Sequence, residues 1–319
     1  MANYITVDGG TTNTRVSLVC SGQIVAVKKL RIGVGDHDVL SLQKAISQAI
    51  SELLKANDVF ESDIVRILAS GMLTSEYGLC SLPHITHPAS IRALHDSMYE
   101  TVMKEISSIP IVFIRGVKIE STDFEYADMM RGEETELMGL LENHAVKTAY
   151  VLPGSHSKII QVDEDGEIVD FCTLMTGEMI AALSTHTILR DSIDFNGVEI
   201  NEAYLLRGFD YCVKQGINQA LFKVRVLKKL FSANNDEAYS FYMGLMLCGE
   251  IQELLKLSVE RIVISGQPQL ANAMYILLKK HCDKEIVLKD QKAVMESTAL
   301  GAVKIFEQSI SEKAPYSKM

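Results

Sequence analysis

The segment Asp8-Gly9-Gly10-Thr11-Thr12-Asn13-Thr14-Arg15 sets an acid, two glycines and a run of hydroxyl and amide side chains between two apolar stretches. Glycines let backbone N–H groups approach an anion closely, and Thr11, Thr12 and Asn13 add donors. Asp8, at the end of the apolar run, suits a Mg²⁺ ion held largely through water. The plainer alternative is a β-hairpin with a polar, Gly-rich turn. No G-K-[ST] follows the glycines, so a P-loop is excluded. The same order returns at Leu152-Pro153-Gly154-Ser155-His156-Ser157-Lys158, where His156 or Lys158 supplies positive charge. Alone, this second segment reads as a turn. As one of a pair, it reads as half of a grip on a polyphosphate.

Three further groups carry chemistry. Asp128-Met129-Met130-Arg131-Gly132-Glu133-Glu134-Thr135 gathers carboxylates and an arginine at an expected helix start. The helix dipole alone favours acids there. The functional alternative is a general base, from Glu133, Glu134 or Asp128, with Arg131 as partner for an anionic substrate. Ser265-Gly266-Gln267-Pro268 joins a β-branched run to a helical one and leaves room for a flat ring, or is an ordinary junction with Pro in the first turn. Thr176-Gly177-Glu178 opens a helix as a cap or as site residues. His84, His87 and His186 lack metal-ligand spacing and read as structural, and there is no G-x-S-x-G elbow.

The elements that must position these residues follow from periodicity. Alternating runs at 4–7, 15–20 and 24–27, punctuated by Gly9-Gly10 and Ser21-Gly22, predict a three-stranded meander. Apolar residues at 42, 45, 46, 49, 50, 53 and 54 predict a helix. A strand at 64–69, a helix over about 91–106, a strand at 111–114 and a helix over 129–143 follow. A second meander is predicted at 149–174, then a long helical region over about 199–257, a strand at 261–264, a helix over 270–281, a strand at 286–288 and a closing helix over 293–306. The repeated meander implies an internal duplication and a mixed sheet with helices packed on it.

The chain has 319 residues, 47% of them hydrophobic, and a net charge of −10. That length fits two domains with ample core. The acidic balance, without a Lys/Arg stripe, excludes general nucleic-acid binding but not ATP. None of the six cysteines forms a C-x-x-C pair. With no targeting or membrane-spanning signal, they imply reduced thiols in a cytoplasmic protein that binds no membrane.

The segments VDGGTTNTR, ASGM, LPHITHPA, MMRGEET, LPGSHSK, LMTGE and SGQPQLA, with the closing Glu296-Ser-Thr-Ala-Leu-Gly301-Ala302, run in order along nearly the whole chain. In this they resemble the 2-dehydro-3-deoxygalactonokinase family of the actin/hexokinase/heat-shock-chaperone ATPase superfamily. MMRGEET with LPGSHSK is the most specific pair. The resemblance implies an α/β fold of two ribonuclease-H-like (actin-like ATPase) domains, with mixed β-sheets flanked by helices and a cleft between them. Residues 1–130 would carry the first phosphate loop and the sugar-acid side. Residues 131–319 would carry the second loop and the adenosine site, with the last helix packing back on the first domain.

The activity implied is transfer of the γ-phosphate of ATP, with Mg²⁺, to the terminal (6-) hydroxyl of 2-dehydro-3-deoxy-D-galactonate in galactonate degradation. Catalysis would then fall to Glu133, Glu134, Asp128 and Arg131. ATP binding would fall to Asp8, Gly9, Gly10, Thr11, Thr12, Asn13, Gly154, Ser155, His156, Ser157, Lys158, Gly177, Glu178, Ser265, Gly266 and Gln267, with Asp8 on the metal. Partners are the small-molecule sugar acid and ATP, with a homodimer as the candidate assembly. Rival functions are a phosphatase or nucleotide hydrolase of the same superfamily and a non-catalytic sugar-acid sensor. Gly9 stands where members usually carry an aromatic residue, and His87 where a Cys is common; both bear on which sugar acid is taken.

Overall fold

β1 (Asn3–Gly9), β2 (Thr14–Cys20) and β3 (Gln23–Leu30) form an antiparallel meander in this computed structural model, which describes residues 2–35, 38–142 and 146–308. β1 is buried along most of its length, whereas β3 alternates exposed and half-buried residues, as suits an edge strand. Helix α1 (Val39–Ala56) starts where the Asp38 side chain accepts the Ser41 N–H at 2.9 Å. Its apolar stripe, Leu42, Ile46, Ala49, Ile50, Leu53 and Leu54, is buried in the core beneath the sheet. β4 (Ile64–Gly71) then returns parallel to β1.

β5 (Ile85–Thr86), α2 (Ile91–Asp96), β6 (Tyr99–Thr101), β7 (Ile111–Phe113), β8 (Val117–Ile119), β9 (Asp128–Met130) and α3 (Glu133–Leu140) follow. The main sheet has the order β3-β2-β1-β4-β7-β6, and β5-β8-β9 form a small second sheet.

A further meander, β10 (Thr148–Leu152), β11 (Ser157–Val162) and β12 (Ile168–Leu174), leads into α4 (Thr176–His186), α5 (Glu202–Gln215), α6 (Ile217–Leu230), α7 (Asn235–Met246) and α8 (Cys248–Lys256). β13 (Arg261–Ile264), α9 (Pro268–His281), β14 (Glu285–Leu288) and α10 (Gln291–Glu307) complete the chain. This sheet has the order β12-β11-β10-β13-β14. β10 is antiparallel to β11 and parallel to β13, just as β1 is to β2 and β4. The two halves therefore share one strand plan. In the second half α4 to α8 occupy the connection that α1 alone fills in the first.

Two compact units result: Met1–His144 with Asp165–Asp170 and Lys292–Met319, and Ala145–Glu164 with Phe171–Gln291. The sequence-derived division at 130/131 falls between β9 and α3, both in the first unit. α10 also belongs there. A Cβ on Gly139 of α3 would stand 1.9 Å from the Ser297 carbonyl oxygen, and one on Gly301 of α10 would stand 1.9 Å from that of Thr135. Backbone meets backbone at this helix crossing, and only glycine allows it.

Two expected helices are corrected. The helix over 91–106 ends at Asp96, because Tyr99–Thr101 instead supplies an edge strand to β7. The helix over 129–143 starts only at Glu133. Met129 and Met130 pair with β8, and Gly132, at φ 112°, breaks the chain direction. The helical region expected over 199–257 consists of four helices, with breaks at Gly216 (φ 78°), at the Asn234 capping box and at Leu247.

Candidate functional site

In the first unit the carboxyl ends of β1 and β4 lie side by side, with Gly9 in register with Gly71. Gly71 has φ 74°, and a Cβ there would stand 2.5 Å from the Gly9 carbonyl oxygen and 3.4 Å from Asp8 Oδ1. A Cβ on Gly132 would stand 3.1 Å from Gly71 Cα. The turn after β1, the turn after β4 and the turn before α3 therefore converge beside Asp8. The β1–β2 turn is closed by Gly10 N–H donating to Asn13 O at 2.8 Å. The 33–35 loop braces it, with Gly35 N–H donating to Thr11 O at 2.8 Å. Thr11, Thr12 and Asn13 are exposed. Asp8 is half-buried; burial raises its carboxyl above the ordinary range, Arg15 opposes this and Glu133 adds to it.

The three candidate carboxylates part company here. Glu134 is wholly buried. Its two oxygens accept the Gly132 N–H at 2.9 and 2.8 Å, and Oε1 also accepts the Thr135 hydroxyl at 3.0 Å. Burial, with Glu133 nearby, pushes its pKa up to about 8 despite those donors. Glu133 is half-buried and accepts the Arg131 N–H at 2.9 Å. Asp128 sits at the far end of β9 from Arg131, with Oδ1 on the Met129 N–H at 2.6 Å.

Arg131 turns into the protein. Nη1 donates to Thr74 O at 2.8 Å and Thr74 Oγ1 at 2.6 Å, and Nη2 reaches Leu82 O at 3.4 Å and His84 Nδ1 at 3.3 Å. Burial, Arg131 and Lys118 hold His84 down to about 4, so its neutral ring accepts this bond.

The Glu134 shift has a consequence for stability. The unfolded chain releases this proton near 4.5 and the folded chain near 8, so across that window the native state binds more protons. Stability then falls as pH rises from about 4.5 to about 8 and levels off above. Urea midpoints measured across this range should fall for the wild type. Glu134→Gln, which keeps one acceptor oxygen, should flatten the slope; an unaltered slope would mean the pH dependence arises elsewhere.

In the second unit the β10–β11 turn, the start of α4 and the β13–α9 junction meet. A Cβ on Gly177 would stand 2.1 Å from the Gly154 carbonyl oxygen, and Glu178 N–H donates to Ser155 O at 3.1 Å. Gly266, at φ 95°, would bring a Cβ within 3.0 Å of Pro153 Cδ, and Ser265 N–H donates to Val151 O at 2.9 Å. Gly154, Ser155 and His156 are exposed, and His156 Nε2 lies 3.4 Å from Glu178 Oε1. Ser157 and Lys158, by contrast, begin β11 with buried side chains. Gln267 precedes Pro268 at the first turn of α9, with Gly266 O accepting from Gln291 Nε2 at 2.9 Å. Exposed backbone at a Gly-containing turn beside a helix N-terminus is the arrangement that receives phosphate.

The model of the 2-keto-3-deoxy-galactonokinase family matches residues 8–300. The chain belongs to this family. The 2-dehydro-3-deoxygalactonokinase of Escherichia coli (strain K12) is 26% identical over 255 residues, 79% of this chain and 80% of that one. A crystal structure from Sinorhizobium meliloti, assigned as a 2-dehydro-3-deoxygalactonokinase, superposes with a TM-score of 0.77 at 21% identity, covering 97% of this chain and 99% of that one. The activator of the 2-hydroxyisocaproyl-CoA dehydratase from Clostridium difficile, solved with ADPNP, gives 0.53 at 12% identity over 99% of both chains. These likenesses establish the fold as that of the actin-like ATPases.

The match of the 2-keto-3-deoxy-galactonokinase family takes in every candidate residue named above. Sequence reasoning passed over Gly71, Thr74 and Glu250, which also shape the site, and read His84 as structural. Gly71, Thr74 and His84 lie in or beside ASGM and LPHITHPA, segments singled out for resemblance rather than chemistry. Glu250, buried beneath the second turn, sits in an apolar run with no signal of its own. No helix among the described residues is long and apolar enough to cross a membrane.

Proposed function

We propose that this member of the family is an ATP-dependent phosphotransferase acting on an alcohol, which phosphorylates 2-dehydro-3-deoxy-D-galactonate at its terminal hydroxyl. The observation that carries the reading is the family match across residues 8–300. In support, the second unit offers exposed backbone at Gly154–His156, packed on the half-buried Gly177, for phosphates and the Ser265–Gln267 junction for the adenosine end. The first unit offers the Gly10–Asn13 turn, and Glu133 to orient the sugar hydroxyl and accept its proton. Phosphoryl transfer has a loose transition state, so positioning and charge neutralisation supply most of the catalysis.

Asp8 fits a Mg²⁺ ion: its burial near a second acid, Glu133, is a cost that a divalent cation would offset. Asp8 would be one protein ligand of an ion otherwise held by water and phosphate. Bound there, Mg²⁺ would neutralise charge on the phosphates. Arg131 acts by tying the turn before α3 to Thr74, keeping Glu133 in place.

ADP release measured with ATP, Mg²⁺ and a panel of 2-keto-3-deoxy sugar acids tests the reading. ADP formed only with sugar acid, together with a phosphomonoester product, supports it. Equal ADP release without sugar acid would indicate a hydrolase, and binding without ADP release a sensor.

A further inference from the structure

Glu250, in the first turn of α8, is 1% exposed. Its carboxyl lies where the two phosphate-facing pieces of the second unit are anchored. The hydroxyl of Thr176, the first residue of α4, bonds to it, and that of Ser157, the first residue of β11, faces it. Both hydroxyl residues are themselves buried. The Ser157–Glu250 approach does not close into a hydrogen bond of normal geometry. Ser157 Oγ and Glu250 Oε2 are buried and lack such a partner among the described residues. Buried polar atoms without such a partner are unfavourable, and each calls for an explanation in the working of the protein. Directly above, Gly154 and Ser155 rest on Gly177 and Glu178. A tightening of the turn onto a phosphate would move β11's first residue toward α4.

We propose that Glu250 is a positioning residue for nucleotide binding, whose carboxyl links Ser157 to Thr176 and so locks the Gly154–His156 turn against the N-terminus of α4. Burial raises the Glu250 carboxyl above the ordinary range, and the two hydroxyls oppose this without cancelling it. When protonated, the carboxyl can accept from Thr176 and donate to Ser157, which would satisfy both orphaned oxygens. It also keeps negative charge from beneath a site meant for phosphate. The inference rests on the proposed reading of the second unit as the nucleotide-binding one.

The test compares wild type, Glu250→Gln, Glu250→Ala and Ser157→Ala as full-length chains. KM is measured separately for ATP and for the sugar acid, and affinity for a fluorescent ADP analogue is measured without sugar acid. Glu250→Ala should raise KM for ATP and weaken ADP binding by about tenfold or more, leaving KM for the sugar acid in place. Glu250→Gln, which can still donate and accept, should recover most of that loss, and Ser157→Ala should share part of it. A uniform loss across both substrates, or a Gln variant as impaired as Ala, overturns the proposal. If Glu250→Ala does not fold, Gln and Ser157→Ala decide: full nucleotide affinity in Ser157→Ala overturns it. A wild type that binds ADP but does not turn over the sugar acid refutes the substrate assignment and leaves the Glu250 comparison decisive. A wild type that binds no nucleotide overturns this inference.

Discussion

Glu133→Gln lowers kcat by about two to four orders of magnitude and leaves ADP affinity intact, the span expected when a general base is removed. The choice among the three carboxylates follows from what each already does. Glu134 is shut away from solvent, with both oxygens on the Gly132 N–H. It caps the start of α3 and cannot reach an acceptor hydroxyl without unmaking that cap. Asp128 begins β9, and about 10 Å of strand separates it from the Arg131 turn. Glu133 stays half-exposed, at the helix N-terminus, in the electrostatic field of Asp8. Its Arg131 N–H bond of 2.9 Å fixes the carboxylate without burying it. Gln preserves shape and that acceptor but cannot take a proton. Steady-state kinetics with ADP titration would show the split between chemistry and binding. A Glu133→Gln enzyme within about threefold of wild-type kcat would move the base elsewhere, and Glu178 is the next candidate.

How much of this was readable before the fold is best seen at single residues. The duplication was legible because both halves open with strand-like runs broken by glycine turns in the same order, and five strands of each sheet follow one order. Asp8 and Gly154 stood out because an acid or a glycine after a buried strand is a local signal. The division of labour between Glu133 and Glu134 was not legible. It depends on Gly132 adopting φ 112° against Gly71, sixty-one positions earlier in the chain. Arg131 was read as the partner of an anionic substrate; sequence shows its neighbours but not Thr74 or His84, whose bonds also hold it. Likewise Tyr99–Thr101 read as helix because the open edge of β7 that captures it is a tertiary feature. Ser157 and Lys158 were read with the turn, but the strand that follows takes both side chains into the interior. Local motifs report backbone turns well; which way a side chain points is settled by the strand register.

Asp8→Asn removes most Mg-ATP-dependent turnover while the protein stays folded. Asp8 is the penultimate residue of β1, where Arg15 faces it across the β1–β2 ladder and Ser70 across the β1–β4 ladder. Its environment disfavours the charged form: burial raises the carboxyl, and the Arg15 charge only partly compensates. Asn is isosteric and neutral, so it relieves that penalty. The melting temperature should hold or rise. What it cannot supply is negative charge for a cation whose remaining ligands are water and phosphate. The expected result is a loss of about two orders of magnitude or more in turnover, with the Mg²⁺ concentration needed for half-maximal rate shifted upward. The shift separates the metal role from a purely structural one, because a distorted turn would lower the rate without changing the Mg²⁺ titration. Turnover and Mg²⁺ midpoint both unchanged, in a variant that melts like wild type, would reduce Asp8 to a turn residue. The first unit would then need another acid to hold the ion, and Glu133 is the nearest whose charge Asp8 already feels.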